Sequence, residues 1–145
     1  MSAGGPGTEK LADRRIQDFL ATREVVVLAT IGRDGAPLAM PMWFLHGTDA
    51  LFMISVADSQ KVRNLGRDGR VSVVAETGTR GADIKNLVVQ GRAEALPDSP
   101  QRRELVQRFL DKYRPHLSAL WGGETMPANR VMFRITPERV RSRGL

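Results

Sequence analysis

Val25-Val26-Val27-Leu28-Ala29-Thr30-Ile31, followed by Gly32-Arg33-Asp34-Gly35, decides the fold. The first seven residues are rich in β-branched side chains and too short a run to favour a helix. They read as a buried strand. Asp34-Gly35 then carries a hairpin signal, and a second strand returns over residues 37–46. Pro41 inside it points to an edge, a bulge or a place where a ligand meets the backbone. Gly47-Thr48-Asp49 is the next turn, and Leu51 to Val56 form a third strand.

The flanking sequence fits around this meander. Residues 1–7 are Gly/Pro/Ser-rich and are expected to be a disordered tail. Thr8 can cap a helix that carries Leu11, Ile16, Phe19 and Leu20 and ends near Thr22. Downstream, Asp58 or Ser59 caps a short helix over residues 60–67, which Asp68-Gly69 closes. A fourth strand covers 71–75, a glycine-containing loop 77–82, and a fifth strand 84–96. Pro100 opens a helix whose core face is Leu105, Val106, Phe109 and Leu110, and which ends before Pro115. Residues 115–129 read as irregular, 130–136 as the last strand and 137–145 as a tail. Six strands, mostly joined by hairpins, predict a mainly β (α+β) domain over residues 8–145. Its antiparallel sheet closes into a barrel with flanking helices.

Composition narrows the function classes. A chain of 145 residues suits one domain. With no cysteine, disulfides, a catalytic thiol and Cys-ligated metal sites are excluded. No apolar run approaches the ~20 residues needed to span a bilayer. No secretion signal opens the chain, so a cytoplasmic location is expected. The net charge is +6, with 18 Arg against 4 Lys. A genome bias toward arginine codons explains this as well as an anionic partner does. The basic residues are scattered, aromatics are 6% of the chain, and no nucleic-acid signature occurs. A small anionic ligand is the better expectation, with no nucleic-acid and no membrane partner.

Catalytic constellations are missing. The two histidines, His46 and His116, lie seventy residues apart, and no nucleophile elbow, P-loop or HExxH occurs. No catalytic side chain and no metal site are expected, so an enzyme of this kind must borrow its chemistry from a cofactor. Ser55-Val56-Ala57-Asp58-Ser59-Gln60-Lys61 is the informative segment. It places a lysine in the first turn of a helix, where unpaired N–H groups already favour an anion. A bound phosphate would satisfy both. A solvated surface lysine fits the spacing equally well.

At this point the sequence resembles a known family. Val26 to Ile31, Asp34-Gly35-Ala36-Pro37 and Pro41-Met42-Trp43-Phe44 look like the opening hairpin of the pyridoxamine-phosphate-oxidase-like split barrels. Ser59 to Leu65, with Arg67-Asp68 and Arg70-Val71-Ser72, is similar to that family's phosphate-binding helix and following strand. Val88 to Glu94 and Arg130 to Val140 resemble its fifth and closing strands. The resemblance covers about residues 23–141. It implies a six-stranded split β-barrel of the FMN-binding type, built as a homodimer with the cofactor between subunits.

Within the family the chain looks most like the flavin/deazaflavin-dependent oxidoreductases that bind coenzyme F420. The resemblance then implies a ring resting on Pro41, Met42, Trp43, Phe44 and Leu45 and on Ser55 and Val56. Gln60 and Lys61 would hold the phosphate, and Ile84, Lys85, Asn86 and Leu87 would approach the cofactor. The true oxidases have an arginine on the second strand where this chain has Ala39-Met40-Pro41-Met42. They also close with a Trp- and Arg-rich segment that the tail Arg141-Ser142-Arg143-Gly144-Leu145 lacks. F420 is therefore favoured over FMN. The expected activity is hydride transfer between F420 and an organic small-molecule acceptor. The alternatives are a non-catalytic FMN, F420 or haem carrier, or an FMN-dependent oxidoreductase.

Overall fold

The computed structural model describes residues 8–145, so the expected tail at 1–7 lies outside the described residues. The strands are β1 (Val25–Ile31), β2 (Pro37–Trp43), β3 (Leu45–His46), β4 (Leu51–Val56), β5 (Arg70–Thr77), β6 (Lys85–Ala95) and β7 (Arg130–Arg143). The helices are α1 (Arg14–Ala21), α2 (Gln60–Arg67), α3 (Pro100–Tyr113) and α4 (His116–Trp121). One sheet runs β2-β1-β5-β6-β7-β4-β3, and its paired strands are antiparallel.

The edges of this sheet are β2 and β3, yet only Phe44 separates them in the chain. Seven strands can bring both edges within one residue only by curling the sheet nearly into a barrel. A seam is left between β2 on one side and β3–β4 on the other. The sheet thus has seven strands where the sequence led us to expect six. The expected second strand breaks at Phe44, whose backbone leaves the ladder. Its N–H donates to the Tyr113 hydroxyl at 2.9 Å, and its carbonyl accepts from that hydroxyl at 3.0 Å and from Lys112 Nζ at 3.1 Å.

Three other boundaries move for local reasons. The first helix starts at Arg14, because Asp13 caps it by accepting from the Arg15 N–H at 2.9 Å. The segment expected to be irregular holds α4. The closing strand runs on to Arg143, because a bulge between β6 and β7 seats Pro137 opposite Gly91 without ending the ladder.

Alternation along the strands divides two cores. Leu51 and Met53 join Leu28, Phe133 and Ile135 inside the barrel, which α1 plugs with Ile16 and Leu20. Phe52 points the other way, against Leu105, Phe109 and Leu110 of α3. No helix among the described residues is long and apolar enough to cross a membrane.

Candidate functional site at the barrel seam

The seam opens into a cleft of about 350 Å³. Val25, Pro41, Met42 and Trp43 form one wall, Ile54 and Ser55 the other, and Lys61 and Leu120 complete it. This size is at the lower end of the roughly 300–1,000 Å³ of small-molecule pockets. The walls are apolar, and the polar groups gather at the α2 end.

The sequence builds that end in a traceable way. Ser59 caps α2, its Oγ accepting from the Val62 N–H at 3.4 Å and lying 3.3 Å from Ser55 Oγ. Asn64, 1% exposed, pins the helix to the barrel by donating to Thr30 Oγ1 at 3.0 Å. Its Oδ1 accepts from Gln60 Nε2 at 2.8 Å and from Arg67 at 2.9 Å. The first turn of α2 therefore faces the cleft from a fixed position. Lys61 extends there with no carboxylate within 4.0 Å among the described residues.

Pro41, Met42, Trp43, Ser55 and Lys61 meet in one cleft. Phe44 is fully buried in the barrel core and Leu45 packs in the second core under α3, so neither lines the cleft. The Gln60 amide is spent within α2, on Asn64 and on Arg63 at 3.0 Å. Val56 lines a neighbouring groove. Ile84, just before β6, and Lys85 and Asn86 at its start do not line the cleft, while Leu87 is inside the barrel. Sequence reasoning missed Val25, Ile54 and Leu120. Val25 was within reach, since it is the cross-strand partner of Trp43.

One face of the sheet beside the cleft is bare. Residues directly opposite each other share a face, which aligns Pro41, Val27, Val74, Val88 and Arg141 across five strands. Val27 is 38% exposed and Val25, in the next row, 47%. The apolar row ends in Arg141, flanked along β7 by Arg139 and Arg143, and none of the three has a carboxylate within 4.0 Å among the described residues.

His46 sits elsewhere, in a separate hollow with Arg108 and Lys112. Gln17 donates from Nε2 to the Leu11 and Gly47 carbonyls, at 2.8 and 2.9 Å. Its Oε1 therefore faces His46 Nδ1 at 2.9 Å, so Nδ1 carries the proton. Burial, then the charges of Lys112 and Arg108, push the imidazole below its ordinary 6.5. The folded ring stays neutral where the unfolded one takes up a proton, so stability falls as pH drops through about 6.5 toward the lower folded value. Thermal unfolding between about pH 7.5 and 5.5 should show this loss, and His46→Asn, which keeps the donor to Gln17, should flatten it. Equal slopes would remove His46 from that role.

The sequence matches the pyridoxamine 5'-phosphate oxidase family over residues 12–144. No curated protein matches. Among solved structures, the conserved hypothetical protein Rv2991 of Mycobacterium tuberculosis is 28% identical, with a TM-score of 0.74 over 95% of this chain and 87% of that one. An FAD-binding protein of Mesorhizobium loti is 27% identical, with a TM-score of 0.70 over 93% and 95%. HutZ, the haem storage protein of Vibrio cholerae, is 19% identical with a TM-score of 0.77 over 94% and 97%, a likeness of fold. The family match runs from α1 to the end of β7, through both walls of the seam and the α2 turn that presents Lys61, and on this evidence the chain belongs to the pyridoxamine 5'-phosphate oxidase family.

Proposed function

We propose that the protein is an oxidoreductase that binds coenzyme F420 at the interface of a homodimer and passes a hydride between it and a small organic acceptor. One observation carries this reading. Lys61, without a carboxylate partner, stands in the first turn of a pinned helix at the polar end of an apolar cleft. A flat ring fits between Pro41 and Trp43 on one side and Ile54 on the other, and a phosphate fits Lys61 and the unpaired N–H groups of the α2 turn. The hydride chemistry would come from the bound ring. The chain's share is to orient that ring, hold its phosphate and exclude water.

The bare sheet face supports the homodimer. A half-open cleft holds only part of a nucleotide-sized cofactor, and a second copy on the Pro41–Val88 row would wall it. The start of β6, with Ile84, Lys85 and Asn86, would then reach the partner's cleft and not its own. Arg139, Arg141 and Arg143 would border the interface, a setting suited to the acidic polyglutamate tail of F420. The missing second-strand arginine supports F420 over FMN. Sedimentation should give a species near twice the 16.0 kDa chain mass.

Lys61→Ala should weaken F420 binding by roughly 1.5–3 kcal/mol, about 10- to 100-fold. Melting should barely shift, since a solvated lysine adds little to the fold. In steady state the change should raise the Michaelis constant for reduced F420 more than it lowers turnover. Unaltered affinity in a fluorescence titration would sink the assignment. His46→Ala and His116→Ala should keep most activity, as neither histidine lines the cleft.

The second reading, a carrier of FMN, F420 or haem, is favoured by the absence of a histidine or carboxylate among the described cleft residues. A haem in the seam would find no histidine there from this chain. Oxidised F420 bound tightly, with no turnover across quinones, nitro compounds, tetrapyrroles and unsaturated ketones, would put the carrier in place of the enzyme.

A further inference from the structure

The seam cleft does not end at Trp43. A second hollow of about 240 Å³ shares Trp43, Ile54 and Leu120 with it and continues over Val56 to α4. The buried Phe109 and Leu117 form its floor, and Trp121 and Arg130 complete its lining. Both tryptophans of the chain border this groove. Leu120 is 66% exposed on its lip, an unusual exposure for a large apolar side chain. The Trp43 ring is held in plane by stacking on Tyr113, centroids 4.6 Å apart and planes 12° from parallel.

Arg130 is the one charged side chain bordering this hollow. Its NH1 donates to the amide oxygen of Asn129 at 2.6 Å, and no carboxylate lies within 4.0 Å among the described residues. Its backbone is fixed at the start of β7, opposite Val56 and bonded to the Pro127 carbonyl at 3.1 Å. A guanidinium so placed offers a planar fork to a carboxylate. An apolar cavity of about 150 Å³ holds a benzene ring, so about 240 Å³ has room for a second fused ring.

We propose that the groove between Trp43 and Trp121 binds a flat apolar acid of one or two rings, whose carboxylate pairs with Arg130. That this acid is the hydride acceptor rests on the reading under Proposed function; the binding itself does not. An acid lying here would meet the seam cleft edge-on at Trp43, beside the place assigned to the cofactor ring.

The test uses the full chain without cofactor, titrated with 2-naphthoate and with uncharged 2-naphthalenemethanol. Calorimetry reads affinity, and quenching of tryptophan emission reads occupancy of the groove. Saturable naphthoate binding is expected, about 10- to 100-fold tighter than the alcohol, the range for a charge-assisted hydrogen bond. Arg130→Gln should abolish that preference while leaving the alcohol's affinity unchanged. Leu117→Trp, which fills the groove floor, should weaken both probes. Lys61→Ala should leave naphthoate binding as it was, which separates this subsite from the cofactor end. Equal binding of acid and alcohol, no saturable quenching by either, or an equal loss in Lys61→Ala and Arg130→Gln would each overturn the proposal. Failure of F420 to bind would overturn the cofactor reading and leave this result standing.

Discussion

Replacing Gly91 by alanine is expected to destabilise the protein by about 3 kcal/mol or more. Gly91 lies where β6 and β7 slip register. Gln90 pairs with Arg139 and Gly91 with Pro137, so Glu138 is the extra residue of a bulge. A β-carbon on Gly91 would overlap the Thr136 carbonyl oxygen and reach the Pro137 Cα at 3.0 Å. Those are backbone atoms and cannot rotate aside as a flexible side chain could. Relief would have to come from parting β6 and β7, whose ladder runs for most of both strands. Gly66, in α2, supplies the control, since a β-carbon there meets nothing within 4 Å. Gly66→Ala should be neutral or stabilising by up to about 1 kcal/mol, the usual gain inside a helix. Denaturant midpoints of the two variants decide the matter. A Gly91→Ala protein within about 1 kcal/mol of the parent would mean that the bulge relaxes without strain.

That bulge marks where reading the sequence stops short. The β-branched run at residues 25–31, the Asp34-Gly35 turn, the Ser59 cap and the Pro100 helix start are local signals, decided by neighbours a few residues away. The corresponding elements stand close to where those signals put them. Pro137 also reads locally, as a stop, but Gly91 is 46 positions earlier in the chain, and only their pairing lets the strand continue. The break at Phe44 is of the same kind. Nothing around Phe44 forbids a continuous strand; the partner for its N–H and C=O is the hydroxyl of Tyr113, 69 residues away. Most of the α2 end of the site was legible, because a cap and a lysine at fixed spacing belong to one helix. The Gln60 amide was not, since its engagement depends on Asn64 turning inward to Thr30. Leu120 and the groove beyond it carried no signal, for α4 spans only six residues and has no side-chain cap.

Tyr113→Ala should cost about 3–5 kcal/mol, the range for emptying a buried aromatic site, and Tyr113→Phe about 1–3 kcal/mol. The two variants remove different things. The hydroxyl accepts from the Phe44 N–H at 2.9 Å and has its own proton for the Glu24 carbonyl at 2.7 Å or the Phe44 carbonyl at 3.0 Å. Without it the Phe44 N–H, inside the core, has no partner, and the link between β2 and β3 loses its anchor on α3. Burial pushes the phenol from 10.0 up to about 12. The unfolded chain releases this proton at lower pH than the folded one, so the stabilisation it represents is lost as pH rises from about 10 to 12. Tyr113→Phe should remove that alkaline loss. Lys112, donating to the same Phe44 carbonyl, is held near about 8 by burial. Its contribution has the opposite sign, with stability rising between about 8 and 10.5, so the phenol is best read above that window. The ring has a separate task. It stacks on Trp43, which walls both the seam cleft and the groove toward Trp121. Phenylalanine keeps the stack and alanine does not. Tyr113→Phe should therefore lower the unfolding midpoint while leaving the affinity of the proposed F420 site within about twofold, and Tyr113→Ala should lose both. If the phenylalanine variant also lost cofactor affinity, the width of the seam would be the feature that the cofactor senses, and the plane of Trp43 would not.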